Sequence, residues 1–174
     1  MVLNDKTLVV FDIEIFKNFF CCGFRNTETK EINTFEISIR KDNTKDFIRF
    51  FKQNFYFVGY NNIHFDNPIV NYIIEFFNND KYTVEQKTNS IFNMSQVIIN
   101  DESQESWKRW KWAKNFESID LLTMMFSQNL RVSLKELQVT LMYPKVQEFV
   151  VDWTKELDYD KFDAVIYYNH NDIL

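Results

Sequence analysis

Phe11-Asp12-Ile13-Glu14 sets two acids into a stretch, residues 7–15, that is otherwise mostly apolar and β-branched. Such a stretch reads as a buried strand, and its period of two puts Asp12 and Glu14 side by side on one face. Two ionised carboxylates that close repel each other, and burial adds a desolvation cost. A fold keeps such a pair when a positive charge sits between them, and a divalent cation is the simplest one. The competing reading ends the strand at Phe11 and leaves both acids in water.

Two further segments carry isolated acids. Asn62-Ile63-His64-Phe65-Asp66 follows the short strand 56–60 and precedes a helix, so Asp66 lies in a strand-to-helix loop, where functional groups collect in α/β folds. Taken alone, Asp66 reads more simply as a contributor to helix capping. Tyr168-Asn169-His170-Asn171-Asp172 lies in a helical pattern, and i,i+4 spacing aims the phenol and the carboxylate at one spot. Taken alone, these are a half-buried aromatic and a surface acid. Together the segments meet a specific demand. Phosphodiester hydrolysis by two metals needs several carboxylates converging from distant parts of a chain, around ions about 3.5–4 Å apart.

The elements that would position these groups follow from periodicity. Residues 7–15, 19–25 and 31–39 read as three strands in an antiparallel meander. In the last of them Ile32, Thr34, Glu36 and Ser38 alternate with Phe35, Ile37 and Ile39. Residues 43–46 start a helix through Phe47, Ile48, Phe50 and Phe51, and 56–60 is a short strand. Asn67 is expected to cap a helix with Pro68 at its first position and Ile69, Val70, Ile73, Ile74 and Phe77 buried. Residues 78–106 read as a short helix and a loop, and 109–122 as a strand pattern. Ser133 opens an amphipathic helix with Leu134, Leu137 and Leu141. Residues 144–158 are irregular, and a last helix begins near Asp160. Strands first, then strands alternating with helices, make an α/β domain with a mixed central sheet and flanking helices. A single domain over 1–174 suits this length.

Composition narrows the chemistry. The chain has two cysteines and two histidines, Cys21 and Cys22 being adjacent and His64 and His170 far apart, so no zinc site is expected. Neighbouring strand residues face opposite ways, so no Cys21–Cys22 disulfide is expected either. A metal here would be held by oxygen, which selects Mg²⁺ or Mn²⁺. The net charge of −5 argues against a protein that coats nucleic acid, though not against one that grips a chain end. There is no apolar run long enough for a membrane span and no signal-peptide pattern at the start, so a cytoplasmic location, such as that of a host cell, is expected. In Trp107-Lys108-Arg109-Trp110-Lys111-Trp112 the period-two pattern favours a surface hairpin strand, with Trp110 and Trp112 in and Arg109 and Lys111 out, over a stacking platform for a single strand.

With Asp-x-Glu at 12–14, Asn-x-x-Phe-Asp at 62–66 and Tyr-x-x-x-Asp at 168–172, in that order, the chain resembles the DEDD exonuclease superfamily in its tyrosine-containing branch. The histidine branch would need His at 167, which is Tyr167. The resemblance spans residues 8–173 and is closest to the N-terminal proofreading domains of family B DNA polymerases of the protein-primed phage type. Ser133-Leu134-Lys135-Glu136-Leu137 fits that group's single-strand-contacting motif, and Lys145 lies near the place of its lysine.

The resemblance implies a ribonuclease H-like fold and two divalent ions, Mg²⁺ or Mn²⁺. Asp12 would bridge both, Glu14 and Asp172 would complete one shell, and Asp66 would support the second ion. Tyr168 would orient the attacking water. Asn62, Phe65, Ser133, Leu134 and Lys145 would hold a single-stranded DNA 3′ end, and a polymerase would act in cis or in trans. The domain is then either the N-terminal part of a longer polymerase or a standalone nuclease. The rivals are a nuclease for RNA or short oligonucleotides, and an inactive ribonuclease H-like module that only binds.

Overall fold

The computed structural model describes residues 2–79, 81–126 and 132–174. Its centre is a seven-stranded mixed sheet. The strands are β1 (Val2–Leu3), β2 (Lys6–Phe16), β3 (Phe19–Asn26), β4 (Ile32–Ser38), β5 (Lys41–Asp42), β6 (Phe55–Gly59) and β7 (Glu117–Asp120). They run in the order β5-β4-β3-β2-β6-β7, with β1 paired to β2. The meander β2-β3-β4 is antiparallel, as its alternation predicts, while β6 lies parallel to β2 and β7 parallel to β6.

Three helices cover one face: α1 (Thr44–Phe51), α2 (Asp66–Phe76) and α3 (Val84–Asn100). Phe47 and Phe51 from α1, Ile69 and Ile73 from α2, and Ile91 from α3 pack there on Phe11, Phe20 and Phe57. On the other face lies α7 (Phe162–Asp172), preceded by a 3-10 turn at Tyr159–Lys161. Phe162 and Val165 of α7 join Phe16, Phe19, Cys21 and Leu157 in a smaller apolar cluster. Cys21 and Cys22 point to opposite faces as free, buried thiols. The remaining helices are short: α4 (Lys108–Lys111), α5 (Leu121–Met125) and α6 (Leu134–Thr140). No helix among the described residues is long and apolar enough to cross a membrane.

Several elements differ from their sequence reading. α2 begins at Asp66, with Phe65 at the capping position, so Asn67 and Pro68 are its second and third residues. Asn67 does not cap: its side chain donates to Ser118 Oγ at 2.7 Å and accepts from Asn62 Nδ2 at 3.1 Å. Residues 84–100 form the longest helix, where a short helix and a loop are expected. A Thr83–Gln86 capping box starts it, and its buried stripe of Lys87, Thr88, Ile91, Met94, Ser95 and Ile98 is diluted by polar residues that mask the period. Residues 108–111 are a helical turn and not a hairpin strand, and Trp112 is 65% exposed. On β4 the polar side is covered: Glu36 and Ser38 are buried, while Ile39 beyond the strand is 82% exposed. Glu36 accepts from Arg40 Nε at 2.8 and 3.0 Å, and Arg40 reaches Asp163 of α7 at 2.7 Å, so α7 closes over what alternation marks as a solvent side. α6 starts at Ser133 as predicted, but Leu141 is exposed and the buried residue is Gln138.

Candidate metal centre

The register of the sheet builds the site. Asp12 pairs with Gly23 and Glu14 with Cys21, so both acids point to the α7 side, opposite Phe11 and Ile13. β6 accompanies β2 only from Thr7 to Val10, which leaves the later half of β2 unpaired on that edge. Asp66, in the first turn of α2, fills the gap: its carboxylate accepts from the Ile13 amide and from its own. From the other side α7 brings Asp172. One oxygen from each of Asp12, Glu14 and Asp172 lies within 4.8 Å of the others.

Gly23 explains how α7 comes so close. A Cβ at this position would sit 2.0 Å from Asn169 Oδ1, so only glycine leaves room. Asn169 is fully buried and donates from Nδ2 to Asp12 Oδ2 at 2.9 Å, while its Oδ1 has no partner. Further along α7, His170 Nε2 meets Thr34 Oγ1 at 2.5 Å. Gly59 plays the matching part beneath the second motif, because a Cβ there would meet Asn62 Cβ at 2.8 Å.

The electrostatics are those of crowded acids. Burial raises the Asp12 carboxyl well above its usual range, and the charges of Asp66 and Asp172 add to this. Glu14 is raised for the same first reason, then by Asp12 and Asp172. Burial pushes Asp66 up to about 7, despite the two amides that favour its charged form. The Tyr168 phenol is raised by burial and then by Asp172, to which it hydrogen-bonds. Among the described residues, the compensating cation is Lys135 of α6. Its Nζ donates to Asp172 Oδ1 and lies 4.7 Å from the centre of the Tyr168 ring. Gln138, one turn on, reaches the same Asp172 oxygen at 3.4 Å.

The donor set suits a hard cation: it is all carboxylate, with Glu14 buried, Asp12 half-buried and the Asp172 side chain nearly buried. Asp12, Glu14 and Asp172 therefore meet, and Asp66 couples to Asp12 through its charge.

The residues expected to hold a strand fall less uniformly. Asn62 is fully buried with Oδ1 unpartnered, and Phe65 packs on the main core with part of its surface open. Ser133 caps α6 in a box with Glu136, and Leu134 is half-buried beside it. Lys145 is exposed, and its carbonyl accepts from Asn171 at 2.9 Å.

Sequence reasoning passed over Lys135, Asn169 and Asp120. Lys135 stands inside a motif singled out for other residues, and Asn169 one turn before Asp172 on the same helix side. Asp120, buried at the end of β7, accepts from the amides of Asn61, Ile63 and Leu122 at 2.9, 3.1 and 2.9 Å. It thereby fixes the 61–63 loop that leads to Asp66, and nothing in its sequence neighbourhood announces this. The chain matches no family model, and no curated protein or solved structure is found similar to it.

Proposed function

We propose that this chain is a 3′→5′ exonuclease domain of ribonuclease H-like fold that hydrolyses single-stranded DNA ends. In this reading it proofreads for a DNA polymerase, in cis or in trans, in the cytoplasm. The observation that carries the reading is the convergence of Asp12, Glu14 and Asp172 on one spot, with Asp66 coupled to it.

Two divalent ions, Mg²⁺ or Mn²⁺, would be held by Asp12, Glu14, Asp66 and Asp172. When bound, they would lower the pKa of water and offset charge on the phosphate. The chain's own residues do the rest. Tyr168 has its hydroxyl on Asp172, and a phenol whose pKa is raised stays protonated and can orient a water molecule without removing its proton. Asn169 fixes the Asp12 carboxylate from the α7 side. Lys135 offers a positive charge at the open rim, where it can exchange Asp172 for a phosphate oxygen. Selectivity for errors needs no base reading, because a mismatched end frays and supplies single strand more often.

The test uses 5′-labelled single-stranded DNA and RNA with Mg²⁺ or Mn²⁺. A ladder shortening from the 3′ end is expected with DNA. Asp12→Ala combined with Asp66→Ala should lower the rate by about 10³-fold or more, the equivalent of roughly 4 kcal/mol in the barrier. Stability should hold or rise, since mutually repelling buried acids are removed. A double variant that degrades ends at the wild-type rate sinks the site assignment, and a preference for RNA moves the substrate to the rival class.

A further inference from the structure

Lys111 has no carboxylate partner among the described residues, in a protein of net charge −5. Among the described residues, the neighbouring Lys108 and Arg109 are paired with Glu105 at 3.0 Å and Glu75 at 2.6 Å. Lys111 instead donates to Gln104 and lies 3.2 Å from His64 Nδ1. Its Nζ is 5.4 Å from the ring centres of both Trp107 and Trp112. The two rings differ in placement, Trp107 being buried in the main core and Trp112 65% exposed.

The segment is anchored to α2, the helix that Asp66 starts. Trp110 packs edge-on against Tyr72 of α2 at 5.2 Å. Asn71 of α2 donates to the carbonyls of Trp110 and Ala113 at 2.9 and 3.2 Å. Asn71 lies on the helix that Asp66 starts, about 7.5 Å further along its axis at 1.5 Å per residue. His64, which meets Lys111, is two positions before Asp66. An anchored exposed indole beside a pair of nitrogen bases has the composition of a stacking surface with a phosphate contact.

We infer that Trp112, Lys111 and His64 form a platform for the single strand upstream of the 3′ end, with a base stacked on Trp112 and a phosphate at Lys111 and His64. The occupant follows from charge and shape. A cation with no carboxylate partner among the described residues calls for an anion, a flat exposed ring for a flat partner, and the adjacent loop leads to Asp66. The inference rests on the nuclease reading for what happens at the strand's end, but not for binding itself.

The test measures binding of dT15 in Ca²⁺ by anisotropy, and the KM for dT15 relative to that for a dinucleotide in Mg²⁺. Trp112→Ala should weaken dT15 binding about 10-fold and lower the preference for dT15 over the dinucleotide by a similar factor, with Trp112→Phe restoring most of both. Lys111→Gln should flatten the slope of log affinity against log salt by about 0.7. Wild-type affinity for dT15 in Trp112→Ala and Lys111→Gln, with unchanged circular dichroism, overturns the platform while leaving the nuclease intact. Wild-type binding without degradation, lost on Trp112→Ala, overturns the nuclease and supports the platform. A wild-type chain that neither binds nor degrades overturns both.

Discussion

Val9, Phe11, Ile13 and Ile15 point from β2 into a core of phenylalanines, while Asp12 and Glu14, one residue out of phase on the same strand, point towards α7. The backbone is common to both sets, so the contrast lies in what each face packs against. The first meets three helices through hydrocarbon and aromatic edges. The second meets one helix through Asn169, His170, Tyr168 and the Arg40–Glu36–Asp163 bridge. On the first face burial stabilises the fold. On the second, Phe16, Phe19 and Cys21 are buried favourably against α7, while the burial of Asp12 and Glu14 opposes folding. A single residue of strand phase thus separates the main core from the acid cluster.

The largest effect that would sharpen the contrast belongs to the apolar face. Phe57 is fully buried, stacked on Phe51 at 4.4 Å and edge-on to Phe11 at 6.0 Å and Phe116 at 5.5 Å. Phe57→Ala should cost about 3–5 kcal/mol, read from urea melts. That is a large share of the roughly 5–15 kcal/mol by which domains are stable. A loss under about 1 kcal/mol would mean that this face does not carry the fold.

The acid face should respond with the opposite sign. Asp66 has a carboxyl raised from 3.8 to about 7. Below 3.8 the folded and unfolded forms are both protonated, and nothing is lost. As pH rises through the window from 3.8 to about 7, the unfolded chain releases its proton first, so stability falls. Without added metal, stability should therefore decline across that window, and Asp66→Asn should remove part of the decline. At pH 8 the variant should be more stable by as much as roughly 4 kcal/mol, the size that such a shift implies. Saturating Mg²⁺ should flatten the wild-type slope. Metal-free melts at several pH values check this, and an Asn variant less stable than wild type at pH 8 would break the comparison.

How much of this was legible depends on range. The meander, the start of α6, the position of α7 and the phase of Asp12 and Glu14 follow from local alternation and helical spacing. The burial of Glu36 and Ser38 did not, because it is imposed by α7 from the far end of the chain. The need for glycine at 23 is likewise invisible until Asn169 is laid over it. The length of α3, read as a short helix and a loop, is hidden for a different reason: Thr83 and Gln86 signal its start, but Lys87, Thr88 and Ser95 on the buried stripe mask the apolar period. Lys135 could be found only by knowing which way α6 faces once docked, which its sequence leaves open between Leu134, Leu137 and the polar side.

Lys135 also supplies the smallest and most discriminating change. Its ammonium contacts both Asp172 and the Tyr168 ring and is, among the described residues, the cation in contact with the cluster. The Asp172 side chain is nearly buried and that of Lys135 is 24% exposed, so the pair is screened only in part. Lys135→Met keeps most of the packing and removes the charge, leaving the acids to repel one another. The metal-free domain should lose about 1–2 kcal/mol, less than a fully buried pair would because solvent reaches the lysine. With saturating Mg²⁺ the deficit should shrink, since the same acids then face a stronger positive charge. Thermal melts with and without Mg²⁺ separate the two contributions of the side chain. A deficit that is the same in both conditions would assign Lys135 to packing against Tyr168, and the acid face would then lack the built-in counter-ion that sets it apart from its apolar twin.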